Sequence, residues 1–222
     1  MGSAVIGLLP LIVAAALMPM WGFITLLLLP TEGGLAKALA FAAGATVVRL
    51  AQGVLFGYLL APLDSGGGDG SEPVVSALLV LLGFLLFVAA FLKLRKQADP
   101  DDPPPMWMGR VQGMSALSAL GAGALLVLIA TKQWVLTISA VGVVSEADTG
   151  LAGSVAAYLI YVIAAQLQVF IPIVICLVMP ERSTKLLGAA GQWLGSHSRP
   201  ITVTLSVVFG AFFLWRGIGG LI

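Results

Sequence analysis

Arg49, Lys132 and Arg216 stand inside long apolar stretches of a chain that carries only 11 lysines and arginines in 222 residues. No aspartate or glutamate shares those stretches with them. A cation in apolar surroundings is costly unless it meets an anion, water or backbone carbonyls. Arginine answers a phosphate, sulfate or carboxylate with a two-pronged fork, and lysine answers it as a point charge. The pattern therefore points to binding of an anionic group. Gln52 lies three residues beyond Arg49, on the same helical face. Gln133 and Trp134 follow Lys132 directly, and Gln166 stands in a further apolar stretch. The candidate binding residues are thus Arg49, Gln52, Lys132, Gln133, Trp134 and Gln166. Plainer readings stand beside this one: Arg49 as a cap for carbonyls freed by a broken helix, Lys132 as a tether, Trp21 and Trp134 as packing. Arg216, next to Trp215, reads as an interfacial residue reaching the outer headgroups.

Other chemistries lack their residues. Serine is plentiful, but no histidine or carboxylate stands in the apolar stretches to activate it, so no catalytic residue is assigned and an enzyme is not expected. One cysteine, Cys176, and one histidine, His197, are too few for a disulfide, a dithiol relay or a His/Cys metal site, and no metal or cofactor is expected. The run Gly66-Gly67-Gly68-Asp69-Gly70 lacks the lysine and hydroxyl of a phosphate loop. A net charge of +1 gives no footprint for nucleic acid.

The elements that must position these residues are membrane helices. The composition is 59% hydrophobic and 9% charged, with a mean hydropathy of +1.07, whereas soluble domains are about 25% charged. Period-2 alternation is missing, which argues against an outer-membrane barrel. Six apolar runs, at about Ala4–Leu29, Leu35–Ala61, Val74–Leu92, Met114–Val144, Leu151–Met179 and Ile201–Ile222, reach the roughly 20 residues a crossing needs. The first and fourth exceed one straight crossing, which predicts tilted or broken helices. Pro19 and Pro172 are the candidate hinges, since each removes a helix hydrogen bond. Arg49 falls about 14 residues into its run, near the midplane, and Lys132 about 18 residues into its own, roughly 27 Å along an ideal helix.

Of the 11 basic residues, Lys37, Lys93, Arg95, Lys96, Arg110, Arg182, Lys185 and Arg199 flank alternate connections on one side. The positive-inside rule places those connections in the cytoplasm and both termini outside. The expected organisation is all-α, with a first three-helix repeat over 1–92, a flexible cytoplasmic linker over 93–113, and a second repeat over 114–222. An interfacial helix is expected near 181–196, from the apolar stripe of Leu186, Leu187, Ala190, Trp193 and Leu194. Met18-Pro19-Met20-Trp21 echoes Thr131-Lys132-Gln133-Trp134, and Gly34-Leu35-Ala36 echoes Gly150-Leu151-Ala152. With three crossings each, such halves sit upside down relative to each other, as in many transporters. Gln166 and Gln168 point about 200° apart, so one of them lines a central cavity, and the repeat favours Gln166. Tyr158 and Tyr161 share a face and are given no role.

Nearly the whole chain resembles the GAP family, the sulfolipid- or glycopeptidolipid-addressing proteins of the lysine-exporter (LysE) superfamily. The likeness rests on Met18-Pro19-Met20, Ala38-Leu39-Ala40-Phe41-Ala42-Ala43-Gly44, Thr131-Lys132-Gln133, Gln166–Pro172, Met179-Pro180-Glu181-Arg182, Gln192-Trp193-Leu194, Gly210 and Gly217. Relatives often carry Asn-Pro-Lys where this chain has Thr131-Lys132-Gln133, so the second-half proline is absent here. The resemblance implies a six-span protein of a bacterial inner membrane, linked to export of cell-envelope glycolipids. Membrane lipids, among them an anionic glycolipid, are the expected partners, with a second copy of the chain and lipid-synthesis or export proteins as further candidates. Three function classes remain open: a transporter for an anionic or amphipathic envelope substrate, a non-transporting scaffold for lipid-export machinery, and a small-solute exporter of the LysE type.

Overall fold

The computed structural model describes residues 2–16, 19–64, 71–95 and 106–221. Among them the chain is helical throughout, without strands: α1 (Gly2–Ala16), α2 (Pro19–Leu28), α3 (Gly34–Asp64), α4 (Ser71–Arg95), α5 (Met106–Gln112), α6 (Ala116–Ile129), α7 (Thr131–Glu146), α8 (Gly150–Ala165), α9 (Leu167–Val178) and α10 (Pro180–Gly219). Residues 96–105 of the linker expected over 93–113 lie outside the described residues, as does the glycine-rich 66–70 segment, while the linker's two ends are helical, in α4 and α5. This is an all-α membrane protein. Three stretches, Gly34–Leu59, Ser76–Arg95 and Pro200–Gly219, are each long and apolar enough to cross a bilayer, and three bent pairs would bring the number to 6.

The bent pairs are α1 with α2 at 54°, α6 with α7 at 74°, and α8 with α9 at 67°. Pro19 opens α2, where its fixed φ and missing N–H suit a first helical position. The second break needs no proline: Ala130 leaves helical geometry at φ −79° and ψ 87°. The third comes at Gln166, at φ −103° and ψ 8°. Pro172, the expected hinge of that run, lies beyond the break and inside α9. Proline spacing alone therefore misplaces this bend.

Breaking a helix inside a bilayer frees carbonyls that lipid cannot satisfy. Side chains close to the breaks answer them. The Trp134 indole Nε1 donates to Leu128 O at 2.8 Å. Gln168 Nε2 donates to Ala15 O at 3.2 Å, and so ties the start of α9 to the end of α1. Gln166 Nε2 reaches back to Val162 O at 3.3 Å.

Each broken run divides between two hydrophobic cores. One is built from α1, α7 and α8 with α4 and the end of α10, and includes Leu8, Leu82, Leu136, Ala157 and Phe213. The other is built from α2, α6 and α9 with α3, α5 and the start of α10, and includes Leu28, Phe41, Val127, Val169 and Leu187. Close approach is set by glycine: a Cβ on Gly123 would strike the Phe41 carbonyl, and one on Gly44 the Leu120 carbonyl. On α3 the buried stripe runs Ala38, Phe41, Ala42, Ala45, Arg49, Gln52, Phe56, while Leu39, Val47, Val54 and Tyr58 face outward. Apolar side chains outside and polar ones within invert the soluble pattern, as a bilayer solvent demands. The segment expected as a separate interfacial helix is helical but does not stop at its end. It continues through Pro200 into the last span as one helix of 40 residues.

Candidate functional site

Arg49 sits on the buried stripe of α3 and is 1% exposed, the largest fully buried side chain among the described residues. Its guanidinium carbon lies 5.7 Å above the ring of Trp21, in the first turn of α2. A cation–π contact offsets part of the burial cost, but Nε and Nη1 meet no hydrogen-bond acceptor. The N-terminal turn of a helix carries partial positive charge. A guanidinium beside it is a donor-rich, positively charged corner that an anion would complete.

One turn before Arg49, Thr46 Oγ1 accepts from Gln166 Nε2 at 3.1 Å, so Gln166 joins the α8–α9 break to the middle of α3. One turn after it, Gln52 is 4% exposed with both amide atoms unbonded. The Tyr158 hydroxyl donates to the Arg49 backbone carbonyl at 2.6 Å. Its ring occupies the space that Gly53 leaves open, since a Cβ there would strike it. Tyr161, fully buried one helical turn further along α8, lies within electrostatic reach of Arg49 and next to Thr137 of α7. Neither the Tyr161 nor the Thr137 hydroxyl reaches hydrogen-bonding geometry.

The other expected residues distribute differently. Gln133 is buried in the first turn of α7, directly after the α6–α7 break. Trp134 packs edge-on against Phe56 at 5.7 Å and caps Leu128, which makes it a support of the bend. Lys132 is half-buried and lies within electrostatic reach of Lys93, whose Nζ donates to Thr202 Oγ1 at 3.3 Å. Lys132 thus stands toward α4 and α10 rather than on the α8 side, where Tyr158 and Tyr161 approach Arg49. Of the two hinge candidates, Pro19 begins α2 directly after the first break and Pro172 is buried within α9. Thr46 and Thr137 were not among the expected residues, and Tyr158 and Tyr161 were noted on one face without a role. Thr46 shares the helical face of Arg49 at a spacing of three, and that spacing was its available signal. No group of histidines, cysteines and acids that could hold a metal occurs among the described residues. A cavity of about 60 Å³ between α2, α9 and α10 is lined by Leu26, Leu29, Cys176, Ser183 and Leu187 and offers no charge.

The fold and this corner define a helical membrane protein with three bent helix pairs and a buried arginine whose Nε and Nη1 find no acceptor among the described residues. Residues 8–219 match the model of the Sap, or sulfolipid-1-addressing protein, family, and the chain belongs to that family. No curated protein and no solved structure matched.

Proposed function

We propose that this chain is an inner-membrane transport or translocation protein for an anionic or amphipathic envelope substrate such as a glycolipid. In this reading Arg49 holds the anionic group at the level of the helix breaks. The observation that carries it is the complete burial of a guanidinium with two unbonded nitrogens, in a chain with no carboxylate inside its apolar runs. A permanent cation so placed needs an anion. Membership of a family named for addressing a sulfolipid supports an amphipathic, acidic substrate. The two three-helix halves, inverted with respect to each other, rock about the three breaks, with Gln52, Gln133 and Gln166 completing the polar surface and Lys132 a second positive charge further off, toward α4. Both termini face outward and the basic connections face the cytoplasm.

The test is reconstitution. Purified protein in liposomes is expected to move an anionic glycolipid between leaflets, and Arg49→Ala to reduce the rate at least tenfold. Wild-type protein that moves no lipid, while its removal from cells stops export, would transfer the role to a scaffold for a separate exporter. Wild-type transport of small anions in place of lipids would favour a solute exporter of the LysE type.

A further inference from the structure

Three helices bring donors, and no carboxylate, to one buried place. Arg49 and Gln52 come from α3, Thr137 from α7 and Tyr161 from α8. All four are at least nine-tenths buried, at 1%, 4%, 0% and 0% exposure. On all four, polar atoms are without hydrogen-bond partners: Arg49 Nε and Nη1, the Gln52 amide, Thr137 Oγ1 and Tyr161 Oη. Native proteins rarely leave such groups unmatched, because each costs about 1–3 kcal/mol when buried alone. Six such atoms stand in one region, five of them able to donate, and a place so lined is built to hold an acceptor-rich ligand. Guanidinium, amide, hydroxyl and phenol all donate, so the ligand must be rich in acceptors. Water would satisfy the donors but would leave the arginine charge uncompensated. A halide can accept from several donors but only at one centre, whereas a tetrahedral oxyanion spreads its acceptors over four corners. A carboxylate has its acceptors in one plane.

We propose that Arg49, Gln52, Thr137 and Tyr161 form a site for a tetrahedral oxyanion, a sulfate or phosphate group, and that the Tyr161 and Thr137 hydroxyls select it over halides and carboxylates. The inference rests on the reading of Arg49 as an anion holder and adds the geometry of the anion and the residues that choose it. Tyr161 and Thr137 act as donors to the third and fourth acceptor positions, beyond what the guanidinium fork reaches. The same chemistry is presented by a lipid headgroup and by a free inorganic ion.

Calorimetric titration of the full-length protein in an uncharged detergent tests it, with inorganic sulfate, inorganic phosphate, acetate and chloride as probes. Sulfate or phosphate is expected to bind at least tenfold more tightly than acetate or chloride. Tyr161→Phe and the near-isosteric Thr137→Val are each expected to weaken sulfate or phosphate binding about tenfold, in line with loss of one hydrogen bond to a charged group. Thermal unfolding of both variants identifies any that fail to fold, and having two of them keeps the test open. A second arm adds micelles doped with a single-chain lipid phosphate monoester. Displacement of the inorganic ion by these micelles assigns the site to a headgroup, and absence of displacement assigns it to the free ion. Equal binding of chloride or acetate overturns the proposal, as do Tyr161→Phe and Thr137→Val proteins that are folded and bind within twofold of wild type. If Arg49→Ala still abolishes binding in that case, the anion-holding role of Arg49 stands and only the selecting hydroxyls fall. Undiminished binding by Arg49→Ala removes both.

Discussion

Arg49 is the residue on which burial and charge disagree most sharply. It was legible in the sequence because an arginine midway along an apolar run is rare, and Gln52 followed from helical spacing. Tyr161 and Thr137 were not legible, since tyrosine and threonine are ordinary in membrane helices and only packing shows that their hydroxyls are buried without partners. The part of Lys132 depended on where its run bends, and the bend leaves it within electrostatic reach of Lys93. Two predictions belong at this scale. Arg49→Lys keeps the charge but loses the fork, so it should retain folding and weaken binding of an anion, measured by the same titration. Trp134→Phe keeps the edge contact with Phe56 while removing the bond to Leu128 O. It should lower stability by about 1 kcal/mol, the ordinary worth of a single hydrogen bond. A thermal or denaturant unfolding curve in detergent checks this, and an unchanged midpoint would mean that the indole bond carries no stability.

At the scale of elements, the apolar runs located every candidate span because the bilayer imposes length and composition together. The breaks were only partly readable. Pro19 marks one through its own covalent geometry. Ala130 and Gln166 mark the others without any proline, since those bends are held by tertiary bonds, Trp134 to Leu128 and Gln168 to Ala15, that spacing along the chain does not reveal. Pro172 drew attention to the correct run and the wrong residue. The continuity of α10 through Pro200 was likewise hidden, because one lost hydrogen bond can be tolerated where a long helix is packed along its length. The α3–α6 crossing yields a prediction of its own. Gly123→Leu would force a side chain into the backbone of α3 at Phe41, at a cost of at least the 1–3 kcal/mol typical of overpacking. Folded yield by size-exclusion chromatography should fall steeply, whereas Gly121→Leu, with open space around it, should leave yield unchanged.

For the whole molecule, the division into two cores gives the breaks their meaning. Each bent run leaves one core and enters the other, and Gln166 stands at one of the change-overs. The proposed binding corner then lies at the seam between the two cores, where the proposed rocking of the halves would act. The topology read from the basic connections makes a direct prediction. In a Cys176→Ser background, a cysteine replacing Asp148 should react with a membrane-impermeant maleimide from outside intact cells, and one replacing Lys185 should not. The reverse pattern would invert the orientation.

The most direct measurement is native mass spectrometry of the protein purified from its own membranes, wild type beside Arg49→Ala and Lys132→Ala. The wild-type protein is expected to carry a co-purifying anionic lipid, lost from Arg49→Ala and retained, wholly or in part, by Lys132→Ala. An Arg49→Ala protein that carries the same lipid at the same occupancy would contradict this expectation.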